Sequence, residues 1–486
     1  MYTECGIFSL YSIHKAPLLG KCITGLTAIQ HRGQESCGIS FNDGKKIMSI
    51  RGFGLVHRVF KDCESPYFDK DILNKAIIGH VRYSTSGVKK KDMDCVQPIT
   101  TTFKEKSLAF CFNGNIPLFE KQYPNCKTDS LAFKEYLTNF NSIEVALKTF
   151  IRDIPGVYCL VVLYRNELYV VRDRYGVRPL SIGYIREKIS STDAQDIDAQ
   201  DIDAPADAPP DAPPMITTKP KILSYSISSE TIAFDKTDYD LLRHVNAGEI
   251  IKINQAGLQT IYRMTETTTK CLFEFIYFLN PESIFDNIEA AQFRNTCGMT
   301  LANSDKECIF SKHDTVVVGC PNSGIESGRG YAKASGLYYY QVIMKNPNIN
   351  RTFILSTQED RIKHIKKKYV FVDTVIKDKI IVLVDDSVVR GNTLKILLEQ
   401  LWEREPKEIH VRVASPPVVN SCYFGIDIPT SEELVYNSFP SNELMTIQYN
   451  VNSFKYMELS DIEFMIGCKV CSSCFTGKYN KDIFEW

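Results

Sequence analysis

Residues 380–415 read IIVLVDDSVVRGNTLKILLEQLWEREPKEIHVRVAS. The run IIVLVDD (380–386) is short, apolar and rich in β-branched residues, as a strand covered on both faces requires. After it, SVVRGNT leads into Leu394, Leu397, Leu398 and Leu401, one face of a helix that Thr393 is expected to cap. EIHVRVAS then alternates, with Ile409, Val411 and Val413 on one side. Strand, loop, helix, strand is a βαβ unit of a parallel sheet. A loop between such a strand and a helix N-terminus offers backbone N–H groups to a phosphate. Gly391 permits close approach, Ser387, Arg390 and Thr393 add donors, and Asp385 and Asp386 can bind ribose hydroxyls or a Mg²⁺ that bridges a pyrophosphate.

Working outward, TVVVGC (315–320) reads as a further strand of the same sheet. The basic run HIKKK (364–368) on its own reads as a solvated face. The first half is β-rich: CGIFSLYS, ESCGISF, KAIIGHVRYS, SLAFCFNGN and VYCLVVLYRNELYVVRD have strand character. Leu18, Leu19, Cys22, Ile23, Leu26 and Ile29 recur at helical spacing between the first two. The stretch TIAFDKTDYDLLRHVNAGEIIKI is expected to return to short strands and to complete a first domain, 5–255, ahead of a second, 256–479, and a tail, 480–486. Residues 191–214, STDAQDIDAQDIDAPADAPPDAPP, are acidic, Pro- and Ala-rich and nearly repetitive. They read as a disordered insertion in the first domain, either tolerated at the surface or used for docking.

Composition excludes several classes. A formal net charge of -1 over 486 residues gives no reason to expect nucleic acid or an anionic membrane as partner. No run of about 18 apolar residues occurs, and MYTECGIFSL lacks the pattern of a secretory signal, so a cytoplasmic protein is expected. Its sixteen cysteines are then reduced thiols, with Cys22, Cys37 and Cys159 read as small core fillers.

Cys5 would become N-terminal if residues 1–4 were removed as a propeptide. A free α-amino group titrates near 7.7–8.0 and can serve as base for its own thiol. AIQHRGQESCGIS (28–40), GHVRYSTSG (79–87), FNGNI (112–116) and KTDS around Asp129 supply what amide hydrolysis needs. Arg82 can pair with a carboxylate, Asp129 can accept from an ammonium, and Asn113 with the Gly114 N–H can form an oxyanion hole. Glutamine fits these roles.

These residues resemble the N-terminal-nucleophile glutaminase domain of class II glutamine amidotransferases. AIQHRGQES, GHVRYSTSG and VRDRYGVRPLSIG (171–183) resemble the amidophosphoribosyltransferase family, which opens de novo purine synthesis. The resemblance implies Cys5 as nucleophile, Asn113 and Gly114 as oxyanion donors, and Arg82 and Asp129 as glutamine ligands. The string 382–393 resembles the phosphoribosyl pyrophosphate (PRPP) motif of type I phosphoribosyltransferases. By the same resemblance Asp385, Asp386, Ser387, Arg390, Gly391, Thr393, Lys345, Arg361 and Lys368 would contact PRPP, and Ser323 in CPNSGIESGRGYAKASG (320–336) would join Asp385 and Asp386 at Mg²⁺. The basic run then faces phosphate. Ser9 stands where the family usually has Gly, Asn322 where it has an acidic residue, and Asn348 and Asn350 where Tyr and Gly are usual in a loop that closes over PRPP.

CSSC (471–474) suggests metal or redox chemistry but is half a site. The resemblance supplies Cys271 and Cys422 as further ligands of a [4Fe–4S] cluster; zinc also accepts four thiolates, and Cys468 is a neighbouring decoy. The implied fold is α+β and α/β: an N-terminal-nucleophile αββα sandwich, then a doubly wound type I phosphoribosyltransferase domain. A homodimer or homotetramer inhibited by purine nucleotides is implied as well. The rival readings are another glutaminase-domain transferase, such as a sugar-phosphate amidotransferase, and a nucleotide-sensing pseudoenzyme.

Overall fold

Two periodicities organise the chain, and each builds its own domain. A computed structural model describes residues 5–43, 45–61, 73–83, 92–187, 221–264, 269–305, 310–346, 369–428 and 430–480. The segment 1–4, the acidic stretch 191–214, Asn348, Asn350, Arg361, Lys368, the HIKKK run and residues 481–486 lie outside the described residues.

In the first half the period of two produces two antiparallel sheets. Their elements are β1 (Gly6–Ala16), α1 (Leu18–Ala28), β2 (Ser36–Asn42), β3 (Ile47–Phe53), α2 (Val56–Lys61), β4 (Asn74–Arg82), β5 (Ile99–Phe103), β6 (Lys106–Asn115), α3 (Asp129–Leu137), α4 (Ile143–Asp153), β7 (Val157–Tyr164), β8 (Glu167–Arg172), β9 (Ser181–Arg186), β10 (Ile222–Ser228), β11 (Asp240–His244), β12 (Glu249–Asn254) and β13 (Gly257–Arg263). One sheet runs β11-β9-β10-β1-β4-β2-β3 and the other β13-β12-β8-β7-β6-β5. Alternate side chains of both sheets meet in the middle, Ile7, Tyr11 and Ile78 against Cys111, Val161 and Val170. The opposite faces take the helices: Phe8 and Leu10 lie under Leu18, Cys22 and Leu26 of α1, and Phe110 and Phe112 lie under Phe133, Leu147 and Phe150. Each such aromatic or aliphatic side chain contributes about 1.5–3 kcal/mol on burial. This is the expected αββα sandwich. Two details differ from expectation. Ile232–Asp235 is a short helix, not a strand. β13 pairs with β12, so the sandwich runs past residue 255.

The second half carries α5 (Ala290–Ser304), β14 (Thr315–Gly319), α6 (Ile325–Ser335), β15 (Tyr338–Tyr339), β16 (Ile380–Asp385), α7 (Asn392–Trp402), β17 (Glu408–Val413) and β18 (Ser453–Tyr456). The sheet order is β15-β14-β16-β17-β18 with every pairing parallel. Val317, Val382 and Val384 face one apolar core while Val316, Val318, Ile381 and Leu383 face another, which is why these strands read as continuous apolar runs. From β14 the chain passes through α6 to β15 on one side; from β16 it passes through α7 to β17 on the other. Strand order therefore reverses between β14 and β16, the place where doubly wound sheets open a crevice at their carboxyl ends.

The leucine face of α7 is buried as expected, but its N-cap is Gly391 at φ 73, and no side chain caps it. Thr393 lies inside the first turn, because the left-handed entry at Gly391 starts the helix two residues earlier than a Thr393 cap would. Ile409, Val411 and Val413 are buried on one face of β17, and Arg412 is buried as well, donating to Asp305 at 2.5 Å. Asp305 also accepts from Tyr331 at 2.6 Å. Such a charge survives burial only when paired.

The domains share packing. Val157, Tyr175 and Val177 of the sandwich enter the second domain's core beside Cys271, Leu272 and Phe273. No helix among the described residues is long and apolar enough to cross a membrane.

α5 and α6 cross through glycine. A β-carbon at Gly298 would collide with the Ser327 carbonyl, and one at Gly330 with the Asn295 carbonyl. Gly298→Ala should cost about 1–3 kcal/mol of overpacking and lower the melting temperature. Gly20 has nothing within 4 Å of such a carbon, so Gly20→Ala should instead raise stability by about 0.5–1 kcal/mol. Equal melting shifts for both variants would contradict the glycine crossing.

Candidate active site

Cys5 immediately precedes β1, and β1 pairs with β4 through Gly6 and Val81, so the cysteine lies alongside Arg82 and Tyr83. Its thiol donates to the Tyr83 carbonyl at 3.6 Å. Loss of hydration pushes the thiol up, the Tyr83 contact and Arg82 oppose that, and Asp129 and Glu35 reinforce it. Arg82, Asp129 and Glu35 thus all act on the sulfur. Arg82 also pairs with Glu35 at 3.3 Å. The Cys5 backbone is held separately, its carbonyl accepting from Arg32 Nε at 3.2 Å.

The oxyanion candidates end β6. Asn113 and Gly114 pair with Cys159 and Tyr158 on β7. Asn113 Nδ2 is buried with no hydrogen-bond partner among the described residues. A buried amide donor left unspent costs about 1–3 kcal/mol, which a bound oxyanion would recover. At Gly114 any side chain would overlap the Val157 carbonyl. The preceding residue is clamped: Phe112 accepts from His80 at 3.2 Å and from Gln97 at 2.9 Å, and donates its N–H to Gln97 at 2.5 Å. Burial, then Arg82, pushes His80 down to about 3, so it is a neutral strut and no base.

Asp129 opens α3, whose cap Thr128 accepts from Leu131 N–H at 3.3 Å. The carboxylate accepts from Ser130 N–H at 2.7 Å and Ile116 N–H at 3.2 Å. Although the residue is only partly buried, desolvation of the carboxyl pushes it up to about 6 against those bonds and Arg82. An incoming ammonium would restore its charge. The sequence-predicted set Cys5, Arg82, Asn113, Gly114 and Asp129 is therefore gathered at adjoining strand and helix ends. Arg32 and His80 lie in motif strings that carry no sign of what they touch, and Gln97 lies outside every string singled out in the sequence.

At the carboxyl edge of the parallel sheet the turn 320–324 meets the end of β16. Cys320 N–H donates to the Val384 carbonyl at 2.8 Å, and a β-carbon at Gly324 would sit 2.6 Å from that oxygen and 3.1 Å from Asp385 Cα. The turn that carries Ser323 is thereby packed, through Gly324, against the backbone at Asp385. Burial, then the Asp386 charge, holds the Asp385 carboxyl well above the usual range. Asp386 is buried, and its carboxylate accepts from Ser387 at 2.8 Å. Gly391 closes on Tyr449, whose hydroxyl occupies the space any side chain at 391 would need. Arg390 points at Glu433, 2.8 Å away, so its expected phosphate contact requires that pair to open. Lys345 lies on a two-stranded ribbon opposite Tyr369, and Tyr369 is near enough to Cys320 and Asp385 for both to act on its hydroxyl.

The four expected cluster cysteines converge from three segments. Cys271 pairs with Cys471 in parallel register, Cys474 accepts from Val419 and Asn420, and the Cys422 sulfur accepts from Phe424 N–H at 3.3 Å. Cys271, Cys471 and Cys474 all feel Cys422, and burial pushes these three thiols up. Among the described residues no group of three or more His, Cys, Asp or Glu side chains is close enough to hold one metal ion. Cys468 is exposed beside Lys270, off this group.

No protein-family profile matches the chain. Individual relatives do. The chain is similar to the amidophosphoribosyltransferase of Bacillus subtilis, 30% identical over 99% of this chain and 95% of the relative. It is 32% identical to that of Methanothermobacter thermautotrophicus, over 98% of this chain and 94% of the relative. Its fold matches the B. subtilis glutamine PRPP amidotransferase complexed with ADP and GMP at a TM-score of 0.79, with 30% identity over 98% of this chain and 97% of that one. A structure described as the allosteric regulatory enzyme of purine biosynthesis matches at 0.80, with 30% identity over 98% and 96%. With relatives at 30–32% identity matched over nearly the whole chain and the same fold in both halves, the chain belongs to the amidophosphoribosyltransferase family of glutamine-dependent pentosyltransferases.

Proposed function

We propose that this chain hydrolyses glutamine at Cys5 and delivers the ammonia to PRPP held at the carboxyl ends of β14 and β16. The observation that carries this reading is the unspent, buried Asn113 amide donor beside Gly114, in a site whose thiol feels Arg82 and Asp129. The Cys5 sulfur attacks the side-chain amide carbon; the resulting oxyanion is held by Asn113 Nδ2 and the Gly114 N–H, and ammonia leaves as a thioester forms. Water then cleaves the thioester to glutamate. Arg82 takes the α-carboxylate and Asp129 the α-ammonium. Removal of residues 1–4 would supply an α-amino base for this desolvated thiol. Ammonia adds to the anomeric carbon of PRPP, pyrophosphate leaves with the bonding electrons, and 5-phosphoribosylamine results. Ser387, Arg390, Gly391 and Thr393 cradle the phosphate, joined by Lys345, Arg361 and Lys368.

Ser323, Asp385 and Asp386 suit a Mg²⁺, since two adjacent carboxylates in a desolvated corner repel one another until a cation joins them. A bound Mg²⁺ would neutralise the leaving pyrophosphate. Cys271, Cys422, Cys471 and Cys474 suit a [4Fe–4S] cluster. Zinc, which also accepts four thiolates, is the competing metal. Purine nucleotides as inhibitors, and assembly into a dimer or tetramer, are carried by family membership alone; ADP and GMP are bound in the related B. subtilis structure.

Glutamine- and ammonium-dependent pyrophosphate release tests the reading. Cys5→Ala should lower glutamine-dependent release on the order of 10³-fold or more and leave ammonium-dependent release; equal loss of both would remove Cys5 from its role. Asp385→Ala should lower both by on the order of 10²–10³-fold. Because Asp129 takes up its proton near about 6, the KM for glutamine should rise about tenfold per unit as pH falls below that value. A KM that stays flat down to about pH 5 would mean that Asp129 does not bind the ammonium. Protein purified without oxygen should contain iron and acid-labile sulfide that Cys271→Ser removes. Stoichiometric zinc in their place would refute the cluster.

A further inference from the structure

We propose that the glutaminase site is held in shape by the second domain: Glu274 positions the nucleophile through Arg32, and the segment Tyr423–Gly425 positions the oxyanion strand. This rests on the reading of Cys5 as the nucleophile. Arg32 is fully buried and grips Glu274 with both terminal nitrogens, Nη2 to Oε1 at 2.7 Å and Nη1 to Oε2 at 3.2 Å. A forked pair fixes the plane of the guanidinium. Its third nitrogen, Nε, is thereby aimed at the Cys5 carbonyl, 3.2 Å away. Glu274 lies 3.5 Å from Arg178 Nη1, and Arg178 Nη2 donates to the Phe424 carbonyl.

The same segment reaches the other half of the site. Asn115, next to Gly114, donates to the Tyr423 carbonyl at 2.9 Å. Gly425, at φ 96, lies so close that a β-carbon there would sit 3.2 Å from the Gly114 carbonyl carbon and 3.1 Å from Arg178 Nη2. The contacts form a continuous path: Cys5, Arg32, Glu274, Arg178, Phe424, Gly425, Gly114. Three members, Glu274, Phe424 and Gly425, come from segments that begin at Cys271 and Cys422. Among the described residues none of these contacts involves Ser323, Asp385 or Asp386, so loosening them should spare ammonium-dependent chemistry.

The experiment uses the full chain carrying Asn115→Ala, Glu274→Gln or Glu274→Asp, with glutamine- and ammonium-dependent pyrophosphate release and melting measured on each. Asn115→Ala removes one part-exposed contact and keeps the buried charges, so it folds. It should lower kcat with glutamine about 5- to 10-fold, with KM for glutamine and the ammonium-dependent rate unchanged, since small misplacements of reacting groups reach on the order of 10²-fold in rate. Glu274→Gln should lower glutamine kcat about 10- to 100-fold, and Glu274→Asp should recover part of it. An Asn115→Ala variant with unaltered glutamine kcat, or with both activities falling in parallel, overturns the proposal. Cys5→Ala run alongside separates the two failures: glutamine-dependent release surviving in that variant sinks the nucleophile assignment itself.

Discussion

The constraint on which this structure most depends is the burial of Arg32. Its guanidinium has no access to water and is neutralised by Glu230 at 2.6 Å from its own sandwich and by Glu274 at 2.7 Å from the second domain. Burial alone would favour its neutral form; the two carboxylates reverse that and hold it charged. Glu230 is in turn opposed by burial and held below the usual carboxylate range by His31 and Arg32. Removing one partner of such a group strands the rest, typically at 3–5 kcal/mol. The charges therefore specify one relative placement of the loop after α1, the turn after β10 and the first turn of the second domain. Two of these segments also touch Cys5 or follow Cys271, so the register of the chemistry is set by the register of the charges.

The second site follows from connectivity. A parallel sheet whose crossover helices leave in opposite directions must open between β14 and β16, and both loops that carry polar side chains end there. Glycine is used where backbones must touch: Gly324 against the end of β16 and Gly391 against Tyr449. The consequence is electrostatic. Bringing the loops together removes water from Asp385 beside a second carboxylate, and its raised affinity for a proton is the same property that favours a divalent cation or sugar hydroxyls.

Much of this was legible in the sequence because the relevant signals are local. Runs such as IIVLVDD and VYCLVVLY became strands, and the leucine face of α7 is buried as its spacing required. The residues of both sites lie in contiguous strings, so their types announced their chemistry. What escaped is what depends on distance in space. Thr393 was expected to cap α7, but the cap is set by the left-handed turn that Tyr449 packs against, 58 residues beyond Gly391. The sandwich continues to Arg263 because β13 closes the sheet edge. His80, Arg32 and Glu274 sit in motifs or apolar runs that do not reveal what they hold, and Gln97 sits outside them.

The departures from the family's usual residues can be weighed in the same terms. Asn322 is exposed at the rim of the 320–324 turn, where water screens most of what an acidic side chain would add. The pair Asp385 and Asp386 is intact, and the neighbouring groups that act on the Asp385 carboxyl are Asp386 and Cys320. Losing one screened negative charge at the rim leaves the two inner carboxylates, and the negative field they make, unchanged. Ser9 is buried within β1 with its hydroxyl unpartnered among the described residues, a cost to stability rather than to chemistry, since the strand keeps its pairing to β4 and β10 on both sides. Both changes therefore act on how tightly or how fast this chain works, and neither alters which bonds it can make and break.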